Sequence, residues 1–83
     1  MAFHKQCPDA EVRIHQTDHD PPHCHVRVND GVVKFLIETL EYWKGRGTIR
    51  RAVRKCLRDH QTEMLDYWYR VVVPLRQAQR RSE

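Results

Sequence analysis

Apolar and polar residues alternate along the first half of the chain and fall into a helical period along the second. Between residues 11 and 17, Val12 and Ile14 lie on one side of an extended segment, with Arg13 and His15 on the other. That alternation marks a strand with one buried face. The run Asp18-His19-Asp20-Pro21-Pro22 then forces a turn, because two prolines fix φ and supply no amide donors. Alternation resumes over 23–29, where Cys24, Val26 and Val28 oppose His23, His25 and Arg27. Asp30-Gly31 reads as a two-residue hairpin loop. A third strand follows over 32–38, with Val33, Phe35 and Ile37 set against Lys34, Leu36 and Glu38, and a short fourth is expected near Tyr42-Trp43.

From Thr48, a fair N-cap, the period changes to 3.6. Ile49, Ala52, Val53, Cys56, Leu57 and His60 share one face of a helix, and Arg50, Arg51, Arg54, Lys55 and Arg58 share the other. Beyond Asp59 the apolar stripe of Met64, Leu65, Trp68, Val71, Val72 and Leu75 is rotated by about a quarter turn. That rotation predicts a break near residues 59–62 and a second helix that Pro74 stops at Val73. The fold class expected is α+β: a three- to four-stranded antiparallel meander sheet followed by two C-terminal helices packed on one face. Cys24, Val26, Val28, Phe35, Ile37, Val53, Cys56, Leu57 and Trp68 are its expected core. Residues 1–83 read as a single domain with its body at about 11–75, between a loose lead-in over 1–10 and a polar, frayed tail over 76–83.

Pairing decides which polar side chains meet on the other face. With Asp30-Gly31 as the loop, Asn29 faces Val32, Arg27 faces Lys34, His25 faces Leu36 and His23 faces Glu38. The simplest register of the first hairpin sets His15 opposite His25 and Arg13 opposite Arg27. The face turned from the helices then carries Arg13, His15, His23, His25, Arg27, Lys34 and Glu38.

Composition sharpens the picture in two ways. With 83 residues, 40% of them apolar, the chain can fill one small core and no deep enclosed pocket, so a site would be a surface cleft or the seam of a homodimer. Residues 1–41 hold four Lys/Arg against seven Asp/Glu, whereas 42–83 hold eleven against four. Lys44 to Arg58 contains seven cations and no acid, a block that attracts polyanions or simply solvates a helix. No apolar run resembles a signal peptide or membrane span, so no membrane partner is expected. Three cysteines (Cys7, Cys24, Cys56), an odd number without C-x-x-C spacing, read as reduced thiols in a cytoplasmic protein.

Three chemistries fit the histidine-bearing face. His-x-His on a strand places two imidazoles on one side, and His15 would complete a three-histidine metal site, with Asp18, His19 and Asp20 in the turn as further donors. Alternatively, His15, His23 and His25 supply catalytic acid and base groups for RNA cleavage while Arg27 and Lys34 hold phosphate. The third reading is structural: the histidines hydrogen-bond the carbonyls of the Pro-Pro turn. Trp68 and Cys56, at core spacing, read as structural, and His60 as a hydrogen bonder at the helix break.

The run Asp18-His19-Asp20-Pro21-Pro22-His23-Cys24-His25-Val26, followed by Glu38-Thr39-Leu40-Glu41 and by the spaced residues Leu57, His60, Glu63, Met64, Leu65 and Trp68, resembles a family of small bacterial proteins. That family is catalogued as domain of unknown function 4160 and is summarised by a D-x-P-P-H-x-H-V hairpin. The likeness covers about residues 11 to 73. It implies a short sheet followed by C-terminal helices, a small partner protein encoded nearby, and a loose association with toxin–antitoxin systems. It marks His23 and His25 as a hallmark without giving them a task or a cofactor. Cys24 stands where the family has a larger apolar residue, and the stretch before Val12 is shorter.

Taken together, the expected role is a nucleic-acid-binding or toxin–antitoxin-type component, with RNA favoured over DNA. Arg27, Lys34, Arg50, Arg51, Arg54, Lys55 and Arg58 would contact the nucleic acid. A metal-binding module using His15, His23 and His25, or a structural partner-binding or dimerisation domain, are the alternatives.

Overall fold

The computed structural model describes residues 2–81. Five strands form one antiparallel meander in the order of the chain: β1 (Phe3–Cys7), β2 (Ala10–Ile14), β3 (His23–Val28), β4 (Gly31–Leu36) and β5 (Tyr42–Arg46). Helices α1 (Arg51–Asp59) and α2 (Gln61–Tyr67) follow, then a π-helical turn over Trp68–Val72 that leads into α3 (Val73–Arg81). The expected α+β architecture is present, with five strands where three to four were expected. The core is continuous from sheet to helices: Val12, Ile14, Cys24, Val26, Val33, Phe35 and Ile37 meet Val53, Leu57, Met64, Trp68 and Val72, all at most 2% exposed. Every residue expected in the core is there, Val28 at its half-buried edge.

Residues 3–7, expected in a loose lead-in, form strand β1. Phe3 packs on the Tyr67 ring at 5.7 Å, and Cys7 is bonded to Cys56 of α1. The alternation over 3–7 is hidden by Lys5, which sits on the helix side of the sheet and reaches Glu63 of α2 at 3.2 Å. The disulfide also overturns the reading of Cys7 and Cys56 as reduced thiols, and with it the thiol argument for a cytoplasmic protein. Cys24 alone is free, and it is buried.

Both hairpins differ from expectation by two residues in register. Val28 pairs with Gly31, so Asn29-Asp30 is the loop; His25 faces Lys34 and His23 faces Leu36. In the first hairpin Arg13, not His15, faces His25, and Glu11 faces Arg27. Gly31 is the first residue of β4, and only glycine fits there, because the Arg46 carbonyl oxygen of β5 would lie 2.1 Å from any Cβ. Asp30 is thereby free to accept the Thr48 amide at 2.9 Å and its hydroxyl at 2.7 Å. Thr48 therefore does not cap α1; Arg50 holds the N-cap position, without a side-chain bond.

The helix break falls between Asp59 and Gln61, as the shifted stripe predicts. Pro74 does not end the second helix. Val73 N–H bonds to Trp68 O, five residues back, and this widened turn moves the carbonyls away from a proline that has no N–H to offer them. Trp68 and Val72 both stay buried across it. The expected frayed tail is helical through Arg81, and Arg76 clasps Asp20 of the β2–β3 loop at 2.8 and 3.2 Å; the tail's last two positions, 82 and 83, lie outside the described residues.

Candidate functional site

Strand alternation sends every second side chain to the face opposite the helices. Cross-strand pairing aligns His4, Arg13, His25, Lys34 and Lys44 in one row across all five strands, and Gln6, Glu11, Arg27, Val32 and Arg46 in the next. At the usual strand spacing each row is about 19 Å long. Glu11 is the one carboxylate in these rows. It accepts Arg13 Nε at 2.8 Å and His4 Nε2 at 2.9 Å, and the Arg13 hydrogen bond above all holds its carboxyl below the ordinary carboxylate range. Among the described residues, Arg27, Lys34, Lys44 and Arg46 have no ion-pair partner, and Lys44 Nζ lies 4.3 Å over the Trp43 ring. His4, Lys44 and Arg46 were absent from the expected site because β1 and most of β5 were not legible as strands.

At one end of this face, the β2–β3 loop folds back over the histidines. Asp18 closes a turn, donating its amide to His15 O at 3.2 Å and accepting the His15 amide on Oδ2 at 2.9 Å. A cis Asp20–Pro21 bond follows. The Pro21 carbonyl accepts His23 Nδ1–H at 2.8 Å, and the Pro22 carbonyl accepts the Ile37 amide at 3.0 Å. His23 is 5% exposed, enclosed by the rings of Trp43 (4.7 Å), His25 (5.1 Å) and Trp68 (5.6 Å). The structural reading of the turn therefore holds for one bond, that of His23 to Pro21.

Asp18 also reaches the histidines with its carboxylate: His25 Nε2 is 3.3 Å from Oδ2 and His23 Nε2 is 3.9 Å from Oδ1. Burial pushes the His25 imidazole below its ordinary value, against the opposing attraction of Asp18. The ligating atoms of Asp18, His23 and His25 all lie within 4.8 Å of one another, and His15 is not in this group. Its ring meets the edge of His25 at 4.7 Å, and it is exposed. The three histidine rings thus lie in a row with His25 in the middle, His23 enclosed at one end and His15 exposed at the other.

A model of the family described as Domain of unknown function (DUF4160) matches residues 11–69. The chain belongs to this family. No curated protein and no solved structure matches it. The DUF4160 match takes in the Asp18 turn and both hallmark histidines, but leaves β1, with Cys7 and His4, and the whole of α3 outside.

The remaining cations expected to contact nucleic acid lie in the helix layer. Arg51, Arg54, Lys55 and Arg58 are exposed on α1, whose Val53, Cys56 and Leu57 face the core. Lys55 is paired with Asp59 at 2.8 Å, and Arg54 stands 5.7 Å over the edge of the core at Phe35. Arg50, at the helix start, lies near Asp30. The two cationic surfaces of this DUF4160 chain are therefore on opposite layers of the fold. Among the described residues no helix is long and apolar enough to cross a membrane.

Proposed function

We propose that this protein binds single-stranded RNA on the open face of its sheet, in keeping with an RNA-binding component of a toxin–antitoxin-type pair. One observation carries the reading: strands β2 to β5 place Arg13, Arg27, Lys34, Lys44 and Arg46 in two adjacent rows in which Glu11 is the one carboxylate. A single strand laid across the two rows would meet a cation on each of β2, β3, β4 and β5, the arrangement that tracks a phosphate backbone. Duplex DNA is a poorer match, because among the described residues no helix or β-ribbon projects from this face to enter a major groove. Binding and not cleavage is proposed, since His23 is enclosed and bonded to Pro21.

Titration of a fluorescent single-stranded RNA across a range of salt tests the reading. Affinity should fall with a log–log slope of about −0.7 per phosphate contacted. Arg27→Glu with Lys34→Glu should abolish binding at moderate salt, whereas Arg51→Glu with Arg54→Glu should weaken it only slightly. Salt-independent or undetectable binding, or loss in the helix variant alone, would sink the sheet-face reading. Preference for duplex DNA would replace its ligand.

A further inference from the structure

We infer that Asp18, His23 and His25 form a binding site for one divalent transition-metal ion, Zn²⁺ in the first instance. The inference does not depend on RNA binding. It rests on where the lone pairs point. His23 donates Nδ1–H to the Pro21 carbonyl at 2.8 Å, so its Nε2 carries a lone pair when the ring is neutral. His23 Nε2 lies 3.9 Å from Asp18 Oδ1, another acceptor. Two acceptors this close inside a largely buried cluster are relieved by a positive charge between them, and a metal ion supplies it without a proton on Nε2. The side chains of His23, Asp18 and His25 are only 6%, 14% and 19% exposed.

The spacing suits a metal. Tetrahedral zinc with bonds of about 2.0–2.1 Å holds neighbouring ligand atoms about 3.4 Å apart. Here His25 Nε2 stands 3.3 Å from Asp18 Oδ2 and His23 Nε2 stands 3.9 Å from Asp18 Oδ1, and one donor atom from each of the three residues can be chosen so that all lie within 4.8 Å. Side-chain shifts below about 1 Å would complete the geometry. The outer shell of a zinc site is also present: the Pro21 carbonyl fixes the ring of His23, and the His15 amide fixes the Asp18 carboxylate at 2.9 Å. Trp43 and Trp68 wall the site on the His23 side. Two nitrogens and one oxygen favour a borderline-soft ion over Mg²⁺ or Ca²⁺, and leave a fourth position for water on the solvent side of His25.

Full-length protein treated with chelator and then titrated with Zn²⁺ tests the site, with Mg²⁺ as the control. One Zn²⁺ should bind per chain, and Mg²⁺ should not compete. Asp18→Asn and His25→Ala, checked for folding by circular dichroism, should each weaken Zn²⁺ by more than the tenfold to hundredfold that loss of an outer-shell partner costs. His15→Ala and His19→Ala should leave the affinity within about threefold, less than such an outer-shell loss. Nitrogen-15 spectra of the unsubstituted protein add a readout that no variant can confound. On Zn²⁺ addition His23 should keep its Nδ1 proton, and His25 should move its proton from Nε2 to Nδ1. Absence of 1:1 binding, unchanged imidazole spectra, or binding that survives Asp18→Asn and His25→Ala but is lost in His15→Ala or His19→Ala would overturn the inference.

Discussion

Cys7, the last residue of β1, is bonded to Cys56 in the middle of α1, 49 positions further along the chain. The bond joins an edge strand to the helix layer, and it closes a loop that contains the whole of β2 to β5. Constraining a loop of this length stabilises by about 4 kcal/mol in the chain-entropy account. Reduction, or Cys7→Ser with Cys56→Ser, should therefore lower the urea midpoint substantially while β2–β5 remain paired. Unfolding curves with and without reductant, compared with those of the double variant, check this; a midpoint indifferent to reductant would mean the bond does not form.

Cys24 should behave in the opposite manner. It is fully buried, and burial pushes its thiol up to about 12. At neutral pH almost no thiolate is available, so iodoacetamide should label Cys24 only as fast as the protein opens. Mass spectrometry of alkylation across a urea series should show labelling that tracks unfolding. Labelling of the folded protein at the rate of a free thiol would contradict the packing of β3.

Two positions three residues apart on β4 separate core from surface. Phe35 is 0% exposed and Val32 is 45% exposed. Phe35→Ala should cost about 3–5 kcal/mol, the range for deleting a buried ring. Val32→Ala should stay within about 0.5 kcal/mol of the parent. Chemical denaturation of both variants measures the contrast, and equal effects would place the sheet faces wrongly.

Acid should weaken the clasp between the β3–β4 loop and the segment before α1. Asp30 accepts the Thr48 amide and hydroxyl, and these bonds, the amide first, hold its carboxyl below the usual value. A depressed folded-state pKa means that the unfolded chain takes up the proton first. The stabilisation is then fully present above about pH 4, the unfolded value, and is lost as pH falls through the folded one. Asp30→Asn should accordingly be less stable than the parent at pH 6, with the gap narrowing by pH 3. A gap independent of pH would show that the charge on Asp30 contributes nothing.

Alternation along 11–38 and the helical period after Thr48 by themselves determined which side chains face the core, and they placed His23, His25, Arg27 and Lys34 together on the opposite face. Those assignments survived two register errors because each error was of two residues, and a shift of two returns every side chain to the same face. The same periodicity cannot say which residue stands opposite which. That was decided by contacts between distant segments: the Arg46 carbonyl that admits only Gly31, and the Asp30 carboxylate that takes Thr48. β1 was hidden because Lys5 spoils its apolar side and finds Glu63 only once α2 is in place. The disulfide needed the same docking, since Cys7 and Cys56 meet only when helix and sheet are packed. Asp18, one donor among several in an irregular turn, acquired its position from the loop that Arg76 holds through Asp20. Local pattern sets the face a side chain occupies, because that depends on backbone period alone. Its partners depend on how segments far apart in the chain come to rest against one another, and only the packed fold decides that.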